Sequence, residues 1–204
     1  LTVAQVVGGI VSGSVALIAD AVHNLSDAVA LIIAFAARRI ARRPADGAMS
    51  FGYARAEVVA ALINYTVLVV ISLWLASEAS MRLVDPPEVA GGIVMALAGL
   101  ALVIDLGTAL LTWRLAREST NIRAAFLHTL ADAGSSVAVL LGGVLIWLFG
   151  WRWADPAITL LISGWILWHA LSEIGPVIRI LMLGAPPEAA AEAVRRTIET
   201  EAGV

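Results

Sequence analysis

The amino-acid sequence predicts an all-α integral membrane protein, a bundle of six transmembrane helices of which the first is incomplete. Only 14% of the 204 residues are charged, whereas about a quarter are charged in ordinary soluble domains. The mean hydropathy is +0.91. Several apolar stretches also reach the roughly 20 residues that a helix needs to cross the ~30 Å hydrocarbon core of a bilayer.

The first two spans share one long apolar segment. Residues 1–37 are almost entirely apolar and too long for a single span, and the Gly8-Gly9 pair and the segment 12–14 offer a break. We therefore predict the end of a first helix at 1–10 and a second helix at about 14–38. The chain begins within this helical pattern and without a methionine, so we expect N-terminal residues to be missing.

Four further spans follow from uninterrupted apolar stretches. We predict them at 58–77, 89–113, 124–151 and 157–178. The pairs Pro86-Pro87 and Asp155-Pro156 mark two of the helix starts. After Gly184 the composition becomes that of an amphipathic, soluble helix. We therefore divide the chain into a transmembrane domain at 1–184 and the beginning of a cytosolic domain at 185–204.

The arginines predict the orientation in the membrane. All thirteen basic residues are arginine, and they concentrate in alternate loops. Eight lie in the loops after the second and fourth spans or in their flanks, and two in the opposite loops. By the positive-inside rule the arginine-rich loops and both termini are cytoplasmic. The short loops and the Ala/Arg-rich composition favour a bacterial inner membrane. The eight are Arg38, Arg39, Arg42, Arg43, Arg55, Arg114, Arg117 and Arg123, and the two are Arg82 and Arg152.

Two matched pairs of ionisable residues lie inside the predicted spans. His23 and Asp27 are four residues apart on the second helix, and His128 and Asp132 have the same spacing on the fifth. Residues four apart share one face of a helix. Charged groups in the bilayer core are costly, so they usually face a cavity or the bundle interior and mark a function.

The two pairs also agree in depth. Asp27 and His23 lie 11 and 15 residues from Arg38, and Asp132 and His128 lie 9 and 5 residues from Arg123. The mean of 10 residues corresponds to about 15 Å of helix, half the thickness of a ~30 Å core. We therefore expect all four side chains near the bilayer midplane.

These four side chains form a plausible set of metal ligands. Two imidazoles and two carboxylates suit a tetrahedral Zn²⁺ site, with Co²⁺ and Cd²⁺ as close competitors. The chain contains no cysteine, so thiolate ligands are excluded. The same groups bind protons, and competition between metal and protons is the minimum requirement of a metal/proton antiporter. The structural alternative is a set of interhelical hydrogen bonds or ion pairs that only holds the bundle together.

Other polar residues in the spans have less definite roles. Asp20 continues the stripe of His23 further outward, as either a carboxylate on the exit path or proton relay, or a hydrogen-bonding group near the outer interface. Asp105 has no spaced partner on its helix, and we expect a hydrogen-bonding role or a place on the pathway. His169 and Glu173 repeat the four-residue spacing near the inner end of the sixth span, where a solvated pair is the more natural interpretation.

Three segments resemble the cation diffusion facilitator family of divalent-metal/proton antiporters. They are SGSVALIADAVHNLSDA, RPADGAMSFGYARAEVVAALIN and NIRAAFLHTLADAGSSVAVLLGG, in the expected order. The resemblance implies a six-helix transmembrane domain, a homodimer and a cytosolic ferredoxin-like α/β domain. It also implies a transport site on the second and fifth helices, at His23, Asp27, His128 and Asp132, and is closest to the zinc-transporting branch.

One loop departs from the family pattern. Some members carry a second metal site on the loop between the second and third helices, made of an aspartate and two histidines. Asp46 matches the aspartate here, but Met49 and Tyr53 stand where the histidines would be. We therefore expect no metal site on this loop.

The sequence thus predicts a proton-coupled exporter of Zn²⁺, with Cd²⁺ or Co²⁺ as further substrates. The expected partners are the metal ion, protons, the lipid bilayer and a second copy of the chain, without nucleic acid or an organic cofactor. An intramembrane zinc metallohydrolase is the alternative, with Asp20 as its only candidate for an additional base. A metal sensor that binds without transport is a third interpretation.

Overall fold

The protein is all-helical in the computed structural model, which describes residues 1–113, 120–184 and 191–200. Helices α2 to α6 are each long and apolar enough to cross a membrane, and α1 is a shorter apolar helix. No strand occurs among the described residues. The prediction of an all-α membrane protein is confirmed. The helices are α1 (Thr2–Ser12), α2 (Val15–Ala41), α3 (Ala56–Val84), α4 (Gly91–Trp113), α5 (Thr120–Phe149), α6 (Ala154–Leu181) and α7 (Ala191–Thr200).

Most of the helices extend beyond the apolar segments that predicted them. Helix α2 continues through Arg38 and Arg39, and α3 includes the Glu78–Arg82 ion pair at 2.7 Å in its last turns. Hydropathy detects only the part of a helix that lies in hydrocarbon. Arginine and glutamate are good helix formers, so the backbone remains helical beyond it.

The chain divides into two compact units, and the first contains residues 1–29 and 67–169. Its core contains many alanines and serines together with larger aliphatic residues. The fully buried aliphatic residues include Leu17, Leu75, Val94 and Val139. Helix α4 packs along α5, and α1 also contacts α4. Small residues at such contacts let helix backbones approach closely, which is the main source of packing energy between helices in a membrane.

Gly91 and Gly143 lie at a close approach between α4 and α5. A Cβ atom added at Gly143 would lie 2.8 Å from the Met95 backbone nitrogen, and one added at Gly91 would lie 2.8 Å from the Gly143 carbonyl oxygen. No side chain larger than hydrogen fits at either position without a shift of backbone. The two glycines therefore set the distance between the helices.

The start of α2 is held by a carboxylate from α6. Gly13 ends α1 in the left-handed conformation, at φ 74°. Asp155 then accepts hydrogen bonds from the Val15 backbone N–H at 2.9 Å, the Ala16 N–H at 3.4 Å and the Ser14 hydroxyl. The first N–H groups of a helix lack partners within the helix, so this buried carboxylate acts as the N-terminal cap of α2.

The second unit contains residues 30–66 and the chain from residue 170 onward. It includes the later part of α2, the loop at 42–55 and the beginning of α3. Beyond Gly184 only α7 is described, so the ferredoxin-like domain and the domain boundary after residue 184 remain predictions. The arginines at 114 and 117 that helped to predict the orientation lie outside the described residues.

We expect Gly143→Ala to destabilise the protein by about 1–3 kcal/mol, because the added methyl group meets backbone of α4 and overpacks the contact. The matched control is Gly107→Ala on α4, where an added Cβ has no neighbour within 4 Å. Thermal unfolding in detergent checks both variants. Equal melting temperatures for the two variants would contradict the close-contact role of Gly143.

We expect Asp155→Ala to destabilise the protein by about 1–3 kcal/mol, because it leaves buried N–H groups at the start of α2 without an acceptor. Asp155→Asn keeps one acceptor oxygen and should cost less. Asp85→Ala, which removes an exposed aspartate, is the control and should be neutral. Unfolding in detergent by circular dichroism measures all three, and a neutral Asp155→Ala would refute the capping role.

Candidate metal centre

Helices α2 and α5 bring the four predicted ligands together within the first unit. The His23 Nε2 atom lies 3.8 Å from Asp27 Oδ2 and 3.6 Å from Asp132 Oδ1. The His128 Nε2 atom lies 3.2 Å from Asp27 Oδ2 and 3.8 Å from Asp132 Oδ2. Each imidazole therefore faces both carboxylates, one on its own helix and one on the other.

These separations resemble those between the ligands of one small cation. In a tetrahedral zinc site with bonds of about 2.0–2.2 Å, neighbouring ligand atoms lie about 3.4 Å apart. The four nitrogen–oxygen distances range from 3.2 to 3.8 Å. Ligand atoms of His23, Asp27 and Asp132 all lie within 4.8 Å of one another. Only small side-chain adjustments are needed for a common centre.

Hydrogen bonding leaves the facing atoms of this cluster unsatisfied. Asp27 Oδ2 and Asp132 Oδ1 are buried and have no hydrogen-bond partner among the described residues, and the same holds for His23 Nδ1. Buried polar atoms without partners are rare in folded proteins, and each calls for an explanation. A bound cation would satisfy both carboxylate oxygens.

The four side chains differ in exposure. His23 and Asp132 are largely buried, with exposed side-chain fractions of 16% and 14%, whereas 52% of the His128 side chain is exposed. A cavity of about 260 Å³ reaches His23 and is lined largely by apolar residues of α5 and α6, with Ser135 as a polar exception. His128 therefore lies at the exposed edge of the cluster, and His23 lies beside the cavity.

A second polar group surrounds Asp20. This carboxylate is 1% exposed and accepts hydrogen bonds from the Gln5 amide nitrogen at 2.7 Å and from the Ser135 hydroxyl. Asp105 accepts a hydrogen bond from the Ser136 hydroxyl at 2.9 Å. Both aspartates thus have the hydrogen-bonding role that we considered from the sequence, which leaves a role in the pathway open.

Sequence reasoning missed Gln5, Ser135 and Ser136 as members of this polar group. Gln5 is fully buried, and its Oε1 atom has no hydrogen-bond partner among the described residues. The sequence did indicate a role for Gln5, because it is an amide within an otherwise apolar segment and such amides usually form a hydrogen bond to another helix. Its partner could not be deduced, because Asp20 becomes its neighbour only when α1 folds back on α2.

Asp46 lies in the loop at 42–55 and is engaged in a local turn. One carboxylate oxygen accepts hydrogen bonds from the Ala48 and Met49 backbone N–H groups at 2.9 and 2.8 Å, and the other accepts one from the Tyr53 hydroxyl at 2.9 Å. The Met49 and Tyr53 hydrogen bonds hold the pKa of the Asp46 carboxyl below its ordinary value. These hydrogen bonds give the residue a structural role in the loop, and the expectation of no metal site here stays a prediction.

His169 and Glu173 belong to α6 and repeat the four-residue spacing. Among the described residues, the compact group of possible metal ligands contains His23, Asp27 and Asp132 and neither of these two. His169 is exposed in the isolated chain. The pair therefore lies outside the group of possible ligands formed by α2 and α5.

Comparison with known proteins identifies the family. A model described as the cation efflux transmembrane domain matches residues 1–182. Two similar proteins are a cadmium, cobalt and zinc/H(+)-K(+) antiporter from Bacillus velezensis, 36% identical over 202 residues, and the metal cation efflux system protein CzcD from Cupriavidus metallidurans, 37% identical over 202 residues. The alignments cover 98% and 99% of this chain and 64% of each relative.

A third similar protein is the zinc transporter ZitB from Escherichia coli. It is 38% identical over 186 residues, which cover 89% of this chain and 58% of the relative. The chain thus spans less than two thirds of the length of these relatives. All three are named as transporters or efflux proteins, which favours a transporter rather than an enzyme and gives the metallohydrolase alternative no support.

We expect Asp27→Ala and Asp132→Ala each to weaken Zn²⁺ binding by more than about 100-fold, since even outer partners of metal ligands contribute about 10–100-fold. Asp46→Ala, which removes a carboxylate outside the cluster, should bind Zn²⁺ like the parent. Competition with a zinc-sensitive dye in detergent measures all three. Unchanged binding by Asp27→Ala, or an equal loss in Asp46→Ala, would contradict the assignment.

Proposed function

The chain belongs to the cation efflux family, and we propose that it exports Zn²⁺ from the cytoplasm in exchange for protons. Cd²⁺ and Co²⁺ are further substrates in this proposal, since the same ligand types bind them. The names of the relatives from B. velezensis and C. metallidurans point to the same class of metal. The chain is a multi-pass membrane protein. In this proposal Zn²⁺ moves from the cytoplasm to the opposite side of the membrane.

The observation that carries this proposal is the convergence of two histidines and two aspartates from α2 and α5. Four nitrogen–oxygen contacts of 3.2–3.8 Å surround one point, and two carboxylate oxygens facing it have no hydrogen-bond partner among the described residues. We assign His23, Asp27, His128 and Asp132 as the ligands of the transported ion. Four protein ligands favour carriage over catalysis, because catalytic zinc sites keep one position open.

Proton exchange follows from the chemistry of the same ligands. Zn²⁺ binds neutral imidazole and ionised carboxylate, so protons compete with the metal for the four side chains. The proposed cycle loads Zn²⁺ from the cytoplasm onto the deprotonated site. The helices then move as a body, the site opens to the other side, and protons displace the metal.

Asp20 and Asp105 are the candidates for a proton pathway beside the site. Asp20 lies three residues before His23, one helical turn away, and is bonded to α1 and α5 through Gln5 and Ser135. A rearrangement between these helices would therefore change the hydrogen bonds of this carboxylate. We propose that Asp20 relays protons to the site during that rearrangement, and that Asp105, which is hydrogen-bonded to Ser136 of α5, lies on the same pathway.

The remaining features of the proposal concern the setting of the protein. We place the arginine-rich end of α2 and the loop between α2 and α3 in the cytoplasm by the positive-inside rule, with both termini on the same side and a bacterial inner membrane as the location. The transmembrane domain ends near residue 184 and is followed by a cytosolic ferredoxin-like domain. The active form is a homodimer.

We expect the parent chain in proteoliposomes to take up Zn²⁺ when the interior is acidic, because outward proton flow drives the exchange. Asp132→Ala should reduce uptake to the rate of protein-free liposomes. Asp46→Ala, which removes a carboxylate outside the cluster, should transport like the parent. A zinc-sensitive dye enclosed in the liposomes measures the rate, with and without the pH gradient.

Three outcomes would contradict the proposal in different ways. Zn²⁺ uptake at the same rate with and without the pH gradient would contradict proton coupling. Binding of Zn²⁺ by a correctly inserted parent without any flux of Zn²⁺, Cd²⁺ or Co²⁺ would favour a sensor. An equal loss of uptake in Asp46→Ala would show that the cluster on α2 and α5 is not the specific site.

A further inference from the structure

One face of α2 changes from apolar to basic at the end of the helix. Leu31, Phe35, Arg38 and Arg39 recur at helical spacing on α2 and therefore share this face, and Arg42 directly follows the last residue of the helix. The Leu31 and Phe35 side chains are 73% and 75% exposed. We call these five residues the α2 basic face. The face thus has an apolar part that suits an acyl chain and, next to it, a basic part that suits an anion.

The three arginines line one groove together with Phe35. The groove has a volume of about 300 Å³, and the described residues that line it are Phe35, Arg38, Arg39 and Arg42. No carboxylate of the described chain lies within ion-pair distance of these three guanidinium groups. Three positive charges thus converge on one groove without an internal counter-charge.

The end of α2 does not by itself account for this charge. A helix C-terminus carries about half a negative charge from the aligned peptide dipoles, and a single arginine would compensate it. Three guanidinium groups leave a surplus of positive charge. Guanidinium groups bind phosphate through paired N–H donors, so the groove suits a phosphate group.

The length of α2 places the groove at the level of lipid phosphates. The helix contains 27 residues, or about 40 Å at ~1.5 Å per residue, which matches the ~40–45 Å of a bilayer including its headgroups. Arg38, Arg39 and Arg42 belong to its last turn or follow it directly. Leu31 and Phe35 precede them by one to two turns, where acyl chains begin.

We infer that the α2 basic face is a binding site for an anionic phospholipid, whose phosphate lies among Arg38, Arg39 and Arg42 and whose acyl chain lies along Phe35 and Leu31. Basic clusters at the end of a membrane helix attract anionic headgroups. This inference is independent of the transported ion. It gives the later part of α2, the helix that carries His23 and Asp27, a specific contact with the membrane.

The test compares two lipids with identical acyl chains, phosphatidylglycerol and phosphatidylcholine, by native mass spectrometry of the detergent-purified chain. We expect the parent to bind phosphatidylglycerol about tenfold more tightly. Three arginines at roughly a fivefold factor each set an upper limit of about 100-fold, and desolvation of the guanidinium and phosphate groups offsets about half of that free energy. The triple variant R38Q/R39Q/R42Q should reduce this preference to about twofold or less.

The matched control is R55Q/R123Q/R179Q, which removes three arginines that do not line the groove and should keep the preference. Phe35→Ala should weaken both lipids equally, because it removes an acyl contact and no charge. If the first triple variant does not fold, its three single variants replace it, and each should lose a measurable part of the preference.

Several outcomes would overturn the inference. These are equal binding of the two lipids by the parent, an equal loss in the control triple variant, and single variants that all keep the full preference. Displacement of phosphatidylglycerol by an equal concentration of soluble glycerol phosphate would also overturn it, because the groove would then bind a free phosphate compound rather than a lipid.

Discussion

Carboxylates inside the hydrocarbon core of a membrane need a compensating positive charge, and this constraint determines the arrangement of α2 and α5. Asp27 and Asp132 carry oxygens that hydrogen bonds from the described residues leave unsatisfied. Burial of such groups costs several kcal/mol, roughly, unless a cation or a proton neutralises them. Two histidines lie 3.2–3.8 Å from these oxygens, so a bound cation or protons on the cluster would supply the compensating charge.

The rest of the first unit fixes the helices that present this cluster. Asp155 of α6 caps the start of α2, and Gln5 of α1 and Ser135 of α5 both bind Asp20 within one turn of His23. Gly91 and Gly143 bring α4 against α5. Three of these contacts join a helix of the cluster to α6, α1 or α4, and the Ser135–Asp20 hydrogen bond joins α2 to α5. A change in any of these contacts would thus alter the geometry around the ligands, which links the packing of the bundle to the site.

The fold and the ligands follow from the sequence to different extents. Hydropathy predicts the membrane helices because the bilayer imposes a length and an apolar composition on each span. The four-residue spacing and the common depth of the two His/Asp pairs predicted a cluster before any contact was known, because helix periodicity fixes which residues share a face. Helix ends were predicted less well. Residues such as Arg39 and Glu78 are helical but lie beyond the apolar segment that reveals a span.

The sequence by itself therefore determined the all-helical membrane architecture, the family resemblance and the identity of His23, Asp27, His128 and Asp132 as a matched set. Only the tertiary structure decided which polar groups support them. Gln5 and Asp20 are 15 residues apart, and Ser14 and Asp155 are 141 apart. Periodicity relates residues within one helix, whereas partners on different helices depend on how the helices pack. The same limit applies to the difference in exposure between His23 and His128, because the exposure of a side chain depends on the helices that pack around it.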